Sequence, residues 1–260
     1  MTSLLVVGAS GYLGGEVARL AVAGGWEVTG TSSADLDITS AAAVRSYVDA
    51  LRPDVVVNAA YRVSDWAVTA DGAANVAVAA RGLRLVHVSS DALHAGRPEP
   101  YGDAEPPTPI YPYGAAKAAA ETAVRAVNPG AAVVRTSLIV GDERSHQVRL
   151  CLDLATGRRP GALHTDEFRC PIGVTDLAAA VLELAGSDWA GPINVAGPQR
   201  MSRAELGALV AASHGLDPAS VPTRTIAESG IGPRPANVVL DSTRAAAMLS
   251  TELRRAAEVV

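Results

Sequence analysis

Within its first fourteen residues the chain runs from Leu4-Leu5-Val6-Val7 straight into Gly8-Ala9-Ser10-Gly11-Tyr12-Leu13-Gly14. This juncture constrains the fold more than any other feature. Four successive apolar residues suit a strand buried on both faces. Three glycines at three-residue spacing suit a tight turn opening a helix, where backbone amides can approach an anion and the helix can pack closely on the strand. The pattern predicts a strand, turn and helix that take the pyrophosphate of a dinucleotide, with Gly8, Ser10, Gly11, Tyr12, Leu13 and Gly14 at the contact.

The rest of the chain extends that unit. Strand-like runs at Ser3–Val7, Glu27–Thr31, Asp54–Asn58, Leu83–Ser89 and Ala132–Thr136 alternate with helical stretches near 11–23, 40–51, 66–81 and 113–127. Such alternation predicts an α/β fold, a doubly wound parallel sheet of the Rossmann type. Five prolines between Ser90 and Tyr111 predict a long loop leaving the fourth strand. After Thr136 we expect a helix near 145–157, a strand at Phe168–Ile172, a helix from Thr175 and a strand at Pro192–Val195. Ser202-Arg203-Ala204-Glu205 then has the form of a capping box. The expected division is a dinucleotide-binding domain of 1–140 plus 169–196, with 141–168 plus 197–260 as a small C-terminal substrate-binding cap.

Composition narrows the partners. A formal net charge of −5 with scattered Lys and Arg offers no basic stripe, so nucleic acid is not expected. Two cysteines, Cys151 and Cys170, lack metal-ligand spacing and are too few for a disulfide framework, and no metal site is expected. Apolar runs shorter than the ~18 residues of a membrane span, and a start without a leader pattern, give the expectation of a cytoplasmic protein with no membrane partner.

The second strand ends in Thr31-Ser32-Ser33, where an acidic residue would face the ribose hydroxyls in an enzyme selective for NAD. Hydroxyls there accommodate a 2′-phosphate, so NADPH is favoured as cofactor and NADH stays a candidate. Asp37-Ile38 suits the wall of an adenine pocket, and equally a turn with a cap before Ser40. Farther on, Tyr113 and Lys117 stand four residues apart on one helix face. An ammonium beside a phenol lowers the phenol's pKa and fits it to exchange a proton with a carbonyl or alcohol. Ser90, at the end of the fourth strand, is placed to hold the substrate oxygen. The catalytic candidates are therefore Ser90, Tyr113 and Lys117, the last two also touching the cofactor.

These features resemble the extended short-chain dehydrogenase/reductases, and within them the dTDP-4-dehydrorhamnose reductase branch. The similarity rests on Gly8–Gly14, Asp35-Leu36-Asp37-Ile38-Thr39, Arg52-Pro53-Asp54 through Asn58-Ala59-Ala60, Val88-Ser89-Ser90-Asp91, Pro112-Tyr113-Gly114 through Lys117 and Glu121, Val134-Arg135-Thr136-Ser137, and Arg234-Pro235-Ala236-Asn237. The resemblance implies that Tyr113 is the acid, Lys117 its activator and Ser90 the orienting hydroxyl. It also implies that Asn58, Ala59 and Ala60 flank the cofactor, that Asn75 aids a proton relay and that Arg234 faces the site from the cap. Asp91, His94 and Arg169 complete the candidate substrate contacts.

Two departures concern the substrate. Ala92-Leu93-His94 follows Ser90-Asp91 where the reductases carry aromatics, and Leu138 stands where they carry a Trp. There, and at Glu167–Pro171, the chain is also similar to the methionine adenosyltransferase beta subunit, an NADP-binding regulatory partner. The expected function is reduction of a keto group, foremost the 4-keto group of a nucleotide-activated deoxysugar. A ketoreductase or dehydrogenase acting on a non-sugar intermediate and a non-catalytic NADP-binding regulatory subunit are the alternatives, and a homodimer is left open.

Overall fold

The computed structural model describes residues 2–260. Strand and helix alternate through β1 (Ser3–Val7), α1 (Tyr12–Ala23), β2 (Glu27–Thr31), α2 (Ala41–Leu51) and β3 (Val55–Asn58). A π-helical turn at Ala67–Asp71 then runs into α3 (Gly72–Ala79), followed by β4 (Arg84–Val88), α4 (Pro112–Val127) and β5 (Ala132–Arg135). The later part holds the two-residue strands β6 (Ile139–Val140), β7 (Leu163–His164), β8 (Phe168–Arg169) and β9 (Ile172–Gly173), with α5 (His146–Ala155) after β6. It continues through α6 (Val174–Ala185), β10 (Gly191–Asn194), β11 (Met201–Ser202), α7 (Arg203–Ser213), β12 (Thr223–Arg224), α8 (Ile226–Ser229) and α9 (Thr243–Met248).

Six strands form one sheet in the order β10-β5-β4-β3-β1-β2, and each neighbouring pair is parallel. The unbroken apolar runs follow from covering both faces. Leu4, Val6, Val55, Val57, Val86, Val88, Ala132 and Val134 share one buried cluster with α1 and α6. Leu5, Val7, Val56, Leu85 and Val133 share the other with residues of α2 and α3. A strand with a period of two places its odd and even residues in two different cores, so a run reads apolar throughout.

Strand order reverses at β1, whose neighbours β2 and β3 lie on opposite sides. The crevice at the carboxyl ends of β1 and β3 is thus the topological switch point, and the glycine turn and Ala59-Ala60 stand at its two lips. No helix among the described residues is long and apolar enough to cross a membrane.

Residues after β5 build a second core from Val148, Cys151, Leu152, Leu163, Leu206, Val210 and Val221. The capping box forms as read: Ser202 Oγ accepts from Glu205 N at 3.0 Å and Glu205 Oε2 from Ser202 N at 2.6 Å. The expected strand at Phe168–Ile172 is two pieces, β8 paired with β11 and β9 paired with β6. Pro171 between them has no N–H for a ladder, so the chain changes partners there. Residues 243–254 return to the sheet, while Ala256 beyond them lies in the second core. Ala245 is buried in the sheet's core with Leu249 and Leu253 packed against it, Arg254 pairs with Asp176 of α6, and Ser250 and Thr251 donate backbone N–H groups to Glu183.

The proline loop carries only a 3₁₀ turn at Asp91–Leu93. Tyr101 N donates to Val239 O at 2.8 Å, Asp241 N to Tyr101 O at 2.9 Å and Asn194 Nδ2 to Tyr101 O at 2.7 Å. Beneath it, Arg135 at the end of β5 forms a two-pronged pair with Glu121 of α4, with 1% and 2% of the side chains exposed. The same guanidinium donates to Asp103 O and Glu105 O at 3.2 and 2.8 Å.

Removing one partner of a buried pair leaves the other charge unpaired at about 3–5 kcal/mol, whereas an apolar pair of similar volume is close to neutral. In urea unfolding, Arg135→Met is expected to lose stability of that order, and Arg135→Met with Glu121→Leu to regain most of it.

Candidate active site

The glycine turn follows β1 through a tight set of backbone contacts. Gly8 N and Ala9 N both donate to Thr31 O, at 3.0 and 2.8 Å, tying the turn to the end of β2. A Cβ on Gly14 would come within 2.2 Å of Gly8 O, so only glycine allows α1 to start this close to the strand. No side chain caps α1 at Gly11, and its first turn holds no acidic residue. The amides at this helix start, over Ser10–Gly14, are free of the carboxylate that would repel an anion, which fits a pyrophosphate. The Tyr12 hydroxyl accepts from Asp142 N at 3.2 Å.

On the crevice's other lip, Asn58 acts from behind. It is buried, its Oδ1 accepts from Ala60 N at 3.1 Å, and its amide lies 3.4 Å from His87 Nδ1. Asn58 thus shapes the turn that presents Ala59 and Ala60. Three other expected cofactor residues are supports: the Thr31 side chain is buried, Ile38 lies in the core with Val44 and Val76, and Asn75 Nδ2 donates to Ile38 O at 2.9 Å and Thr39 O at 3.2 Å. The Asn75 amide thus ties α3 to the loop after β2. Ser32, Ser33 and Asp37 remain at the surface end of β2.

Ser90, Tyr113 and Lys117 converge at the ends of β4 and α4. A Cβ on Gly114 would lie 2.2 Å from Ala92 O, so that glycine seats the start of α4 directly on the 91–93 turn. Pro112 in the helix's first turn costs no hydrogen bond. The Ser90 hydroxyl accepts from Ala92 N at 3.2 Å, donates to Asp91 Oδ1 at 3.3 Å, and lies near the Tyr113 phenol, whose pKa it acts to lower. Lys117 Nζ, fully buried, donates to Val88 O at 3.0 Å.

The electrostatics amend the expectation that Lys117 depresses the phenol. Burial dominates at Tyr113, and with Tyr61 and Tyr111 nearby it raises the phenol above its ordinary value. Burial also lowers Lys117 to about 8, against the pull of Glu121 one turn along. At neutral pH the phenol keeps its proton and the ammonium is largely charged.

Two aromatic residues missed in the sequence join the site. Tyr61, following Ala60, is 54% exposed. Its ring centroid lies 6.0 Å from that of Tyr113 and 5.0 Å from Lys117 Nζ, within cation–π range. Tyr111 lies 6.3 Å from Tyr113 on its other side, and burial with Asp91 nearby pushes its hydroxyl up to about 12. Their position, one after the third strand and one at the helix start, was the available signal.

The expected substrate contacts divide. Asp91 is buried and accepts from Ser137 Oγ at 2.7 Å and Ser90 Oγ at 3.3 Å; burial raises its pKa while Arg169 opposes. Arg169 is buried and committed to Phe168 O, Pro235 O, Glu167 and Asp91. Both residues stand behind the site instead of lining it. His94 is corrected as well: fully buried, it stacks on Tyr101 at 3.9 Å and has no exposed face for a substrate.

Arg234, 40% exposed, reaches Glu167 Oε2 through Nε at 2.6 Å. Glu167, also unforeseen, takes His164 Nδ1 at 2.6 Å. Burial works against its charge, yet Arg234, Arg169 and His164 hold it at about 2. A chain of charges thereby runs from Asp91 through Arg169 and Glu167 to Arg234.

Comparison with known proteins places this geometry. The family model described as the RmlD substrate binding domain matches residues 1–260. The chain is 34% identical over 260 residues to dTDP-4-dehydrorhamnose reductase of Streptomyces griseus, covering 92% of this chain and 86% of that one. It is 32% identical over 268 residues to the enzyme of that name from Mycolicibacterium smegmatis, covering 96% and 81%. The solved dTDP-4-dehydrorhamnose reductase of Bacillus anthracis, in complex with NADP, superposes with a TM-score of 0.90 at 24% identity, covering 99% and 97%. From the turn at Gly8 to the Arg234 segment, the chain belongs to the RmlD substrate-binding domain family.

Proposed function

We propose that the protein is a nicotinamide-dependent reductase acting on a keto group, foremost the 4-keto group of a nucleotide-activated 6-deoxysugar, with NADPH favoured and NADH accepted. The convergence of Ser90, Tyr113 and Lys117 beside an anion-ready glycine turn carries this reading. Relatives at 32–34% identity bear the reductase name, and the Bacillus anthracis neighbour holds NADP. We take the sheet-bearing part as the dinucleotide domain and the second apolar core as the substrate cap, in a cytoplasmic enzyme.

The bound cofactor supplies a hydride to the carbonyl carbon. Ser90 donates to the carbonyl oxygen and fixes its direction. Tyr113, kept protonated by burial, delivers its proton to that oxygen as negative charge develops there. Lys117 faces the phenolate so formed with a positive charge. Tyr61 and Tyr111 wall the pocket, and Arg234, with one edge on Glu167, offers its terminal N–H groups to an anionic part of the substrate.

Oxidation of NADPH by dTDP-4-keto-6-deoxy sugars, followed at 340 nm, tests the reading. Tyr113→Phe is expected to lower kcat by about 10²–10⁴-fold with nucleotide affinity unchanged. Undiminished turnover in that variant would sink the mechanism, and nucleotide binding with no oxidation of any keto substrate would turn the reading to a regulatory subunit.

The pH dependence has a definite sign. Lys117, lowered to about 8, loses its proton as pH rises through that value, while Tyr113 remains protonated. The rate of reduction is expected to fall above about pH 8. Lys117→Arg should move that limb upward, and Lys117→Met should abolish it together with most activity. In the folded protein the depressed lysine binds fewer protons than in the unfolded chain between pH 8 and its ordinary value, so stability rises with pH across that window. Lys117→Met should remove this slope in denaturant titrations.

A further inference from the structure

We propose that Tyr12, although it stands inside the glycine turn, is a positioning residue for the substrate: its hydroxyl seats the start of α5 and, through α5 and α7, the Arg234 side chain. This rests on the reading of Arg234 as a contact to an anionic part of the substrate. The backbone of the turn serves the dinucleotide, whereas the half-buried phenol meets the segment that leads from β6 into the second core. There the Tyr12 hydroxyl accepts from Asp142 N at 3.2 Å. Arg144 holds its guanidinium 5.8 Å from the centre of the Tyr12 ring, within cation–π range, and pairs with Asp142 at 2.7 Å. Burial and the Asp142 carboxylate push the phenol up to about 12, so the hydroxyl keeps its proton at neutral pH. Gly141 makes room for the contact: its φ is +149°, and a Cβ there would come within 2.5 Å of the Tyr12 hydroxyl oxygen.

From Asp142 the contacts run without a gap to Arg234. Asp142 O accepts from Ser145 N at 3.0 Å. Ser145, buried at the N-cap of α5, accepts from Gln147 N and Val148 N and donates to Ile139 O at 2.8 Å. The Tyr12 hydroxyl thus fixes the turn on which α5 begins. One turn of helix inward, Gln147 Oε1 accepts from Arg203 Nη1 of α7 at 2.6 Å. Arg203, 7% exposed, donates its backbone N–H to Glu167 O at 2.9 Å, and Glu167 holds Arg234 Nε at 2.6 Å. A shift of α5 at its first turn therefore reaches the carboxylate that aims Arg234. The glycine turn has its own anchors, because Glu16, one turn along α1, accepts from Thr175 Oγ1 of α6 at 2.9 Å, and Gly8 N and Ala9 N are tied to Thr31 O.

The test compares the full chain with Tyr12→Phe in NADPH oxidation by dTDP-4-keto-6-deoxy sugars, alongside NADPH binding read by nucleotide fluorescence. Phenylalanine keeps the ring and deletes the acceptor for Asp142 N. The expected result is a KM for the sugar raised about fivefold, the worth of one hydrogen bond, with kcat and NADPH affinity within about twofold. Arg234→Ala should raise the same KM, and Tyr12→Phe added to it should raise it no further, since both act through one guanidinium. Gly141→Ala, which drives a methyl onto the hydroxyl, should move KM in the same direction. An unchanged KM in Tyr12→Phe, effects that multiply in the double variant, or NADPH affinity lost in step with the sugar would overturn the assignment. If the unaltered chain oxidises NADPH with none of these sugars, the reductase reading falls and this inference with it.

Discussion

A guanidinium and a carboxylate, Arg135 and Glu121, meet almost wholly out of water at the junction of β5, α4 and the proline loop. Much of the candidate site's geometry hangs on that pair. Glu121 lies one turn beyond Lys117 and two beyond Tyr113, so fixing it fixes the rotation of the helix that carries both. Arg135's remaining donors hold carbonyls of the loop that begins at Ser90. One side chain thus ties the helix to the loop, while Gly114 lets the helix start rest on the 91–93 turn. A buried ion pair is weak evidence for stability but can act as a device of register, because no other arrangement satisfies both charges. Here the register it enforces is Tyr113 against Ser90.

The cofactor side of the crevice depends on different physics. Its shape comes from backbone: the Gly14 approach, the tie of Gly8 and Ala9 to Thr31 O, and the Asn58 bond that turns Ala59 and Ala60 inward. That difference explains why the two sides differed in legibility. Glycine spacing and strand-end position are local, and the α/β alternation, the parallel sheet and the meeting of Ser90 with Tyr113 and Lys117 could be read along the chain. The charge network could not. Asp91, Arg169, Glu167 and Arg234 lie far apart in sequence, and nothing in their spacing reveals that Asp91 and Arg169 answer each other from behind the site. His94 misled for a related reason: a histidine in a loop near Ser90 reads as exposed, whereas its ring is buried and stacked on Tyr101, whose ring also carries Arg97.

Boundaries shifted where tertiary partners overrode local pattern. Phe168–Ile172 looks like one strand because its residues suit one, but Pro171 and two different partner strands divide it. The C-terminal stretch after Leu240, read with the cap by its place in the chain, divides: Ala245, Leu249 and Leu253 pack on the sheet's core, and Ala256 with Val259 and Val260 on the second core. Only the apolar cluster that each side chain joins distinguishes the two units.

Desolvation is the thread that joins these parts into a chemistry. In water, a lysine beside a tyrosine would be expected to lower the phenol; in this site burial acts on both at once, raising Tyr113 and lowering Lys117. The two shifts bring a neutral acid and a weakened ammonium into the same closed space. A phenol whose anion is costly in isolation gives up its proton only when the resulting charge is met, and the group able to meet it is the ammonium four residues on. The rings of Tyr61 and Tyr111 lie 6.0 and 6.3 Å from that of Tyr113 and add to the cost of its anion. The network through Glu167 keeps its own charges compensated, so Arg234 comes near Tyr111 without placing an unpaired charge beside the phenol. On the proposed reading, such a site protonates a developing oxyanion, and reduction is the direction its buried groups serve.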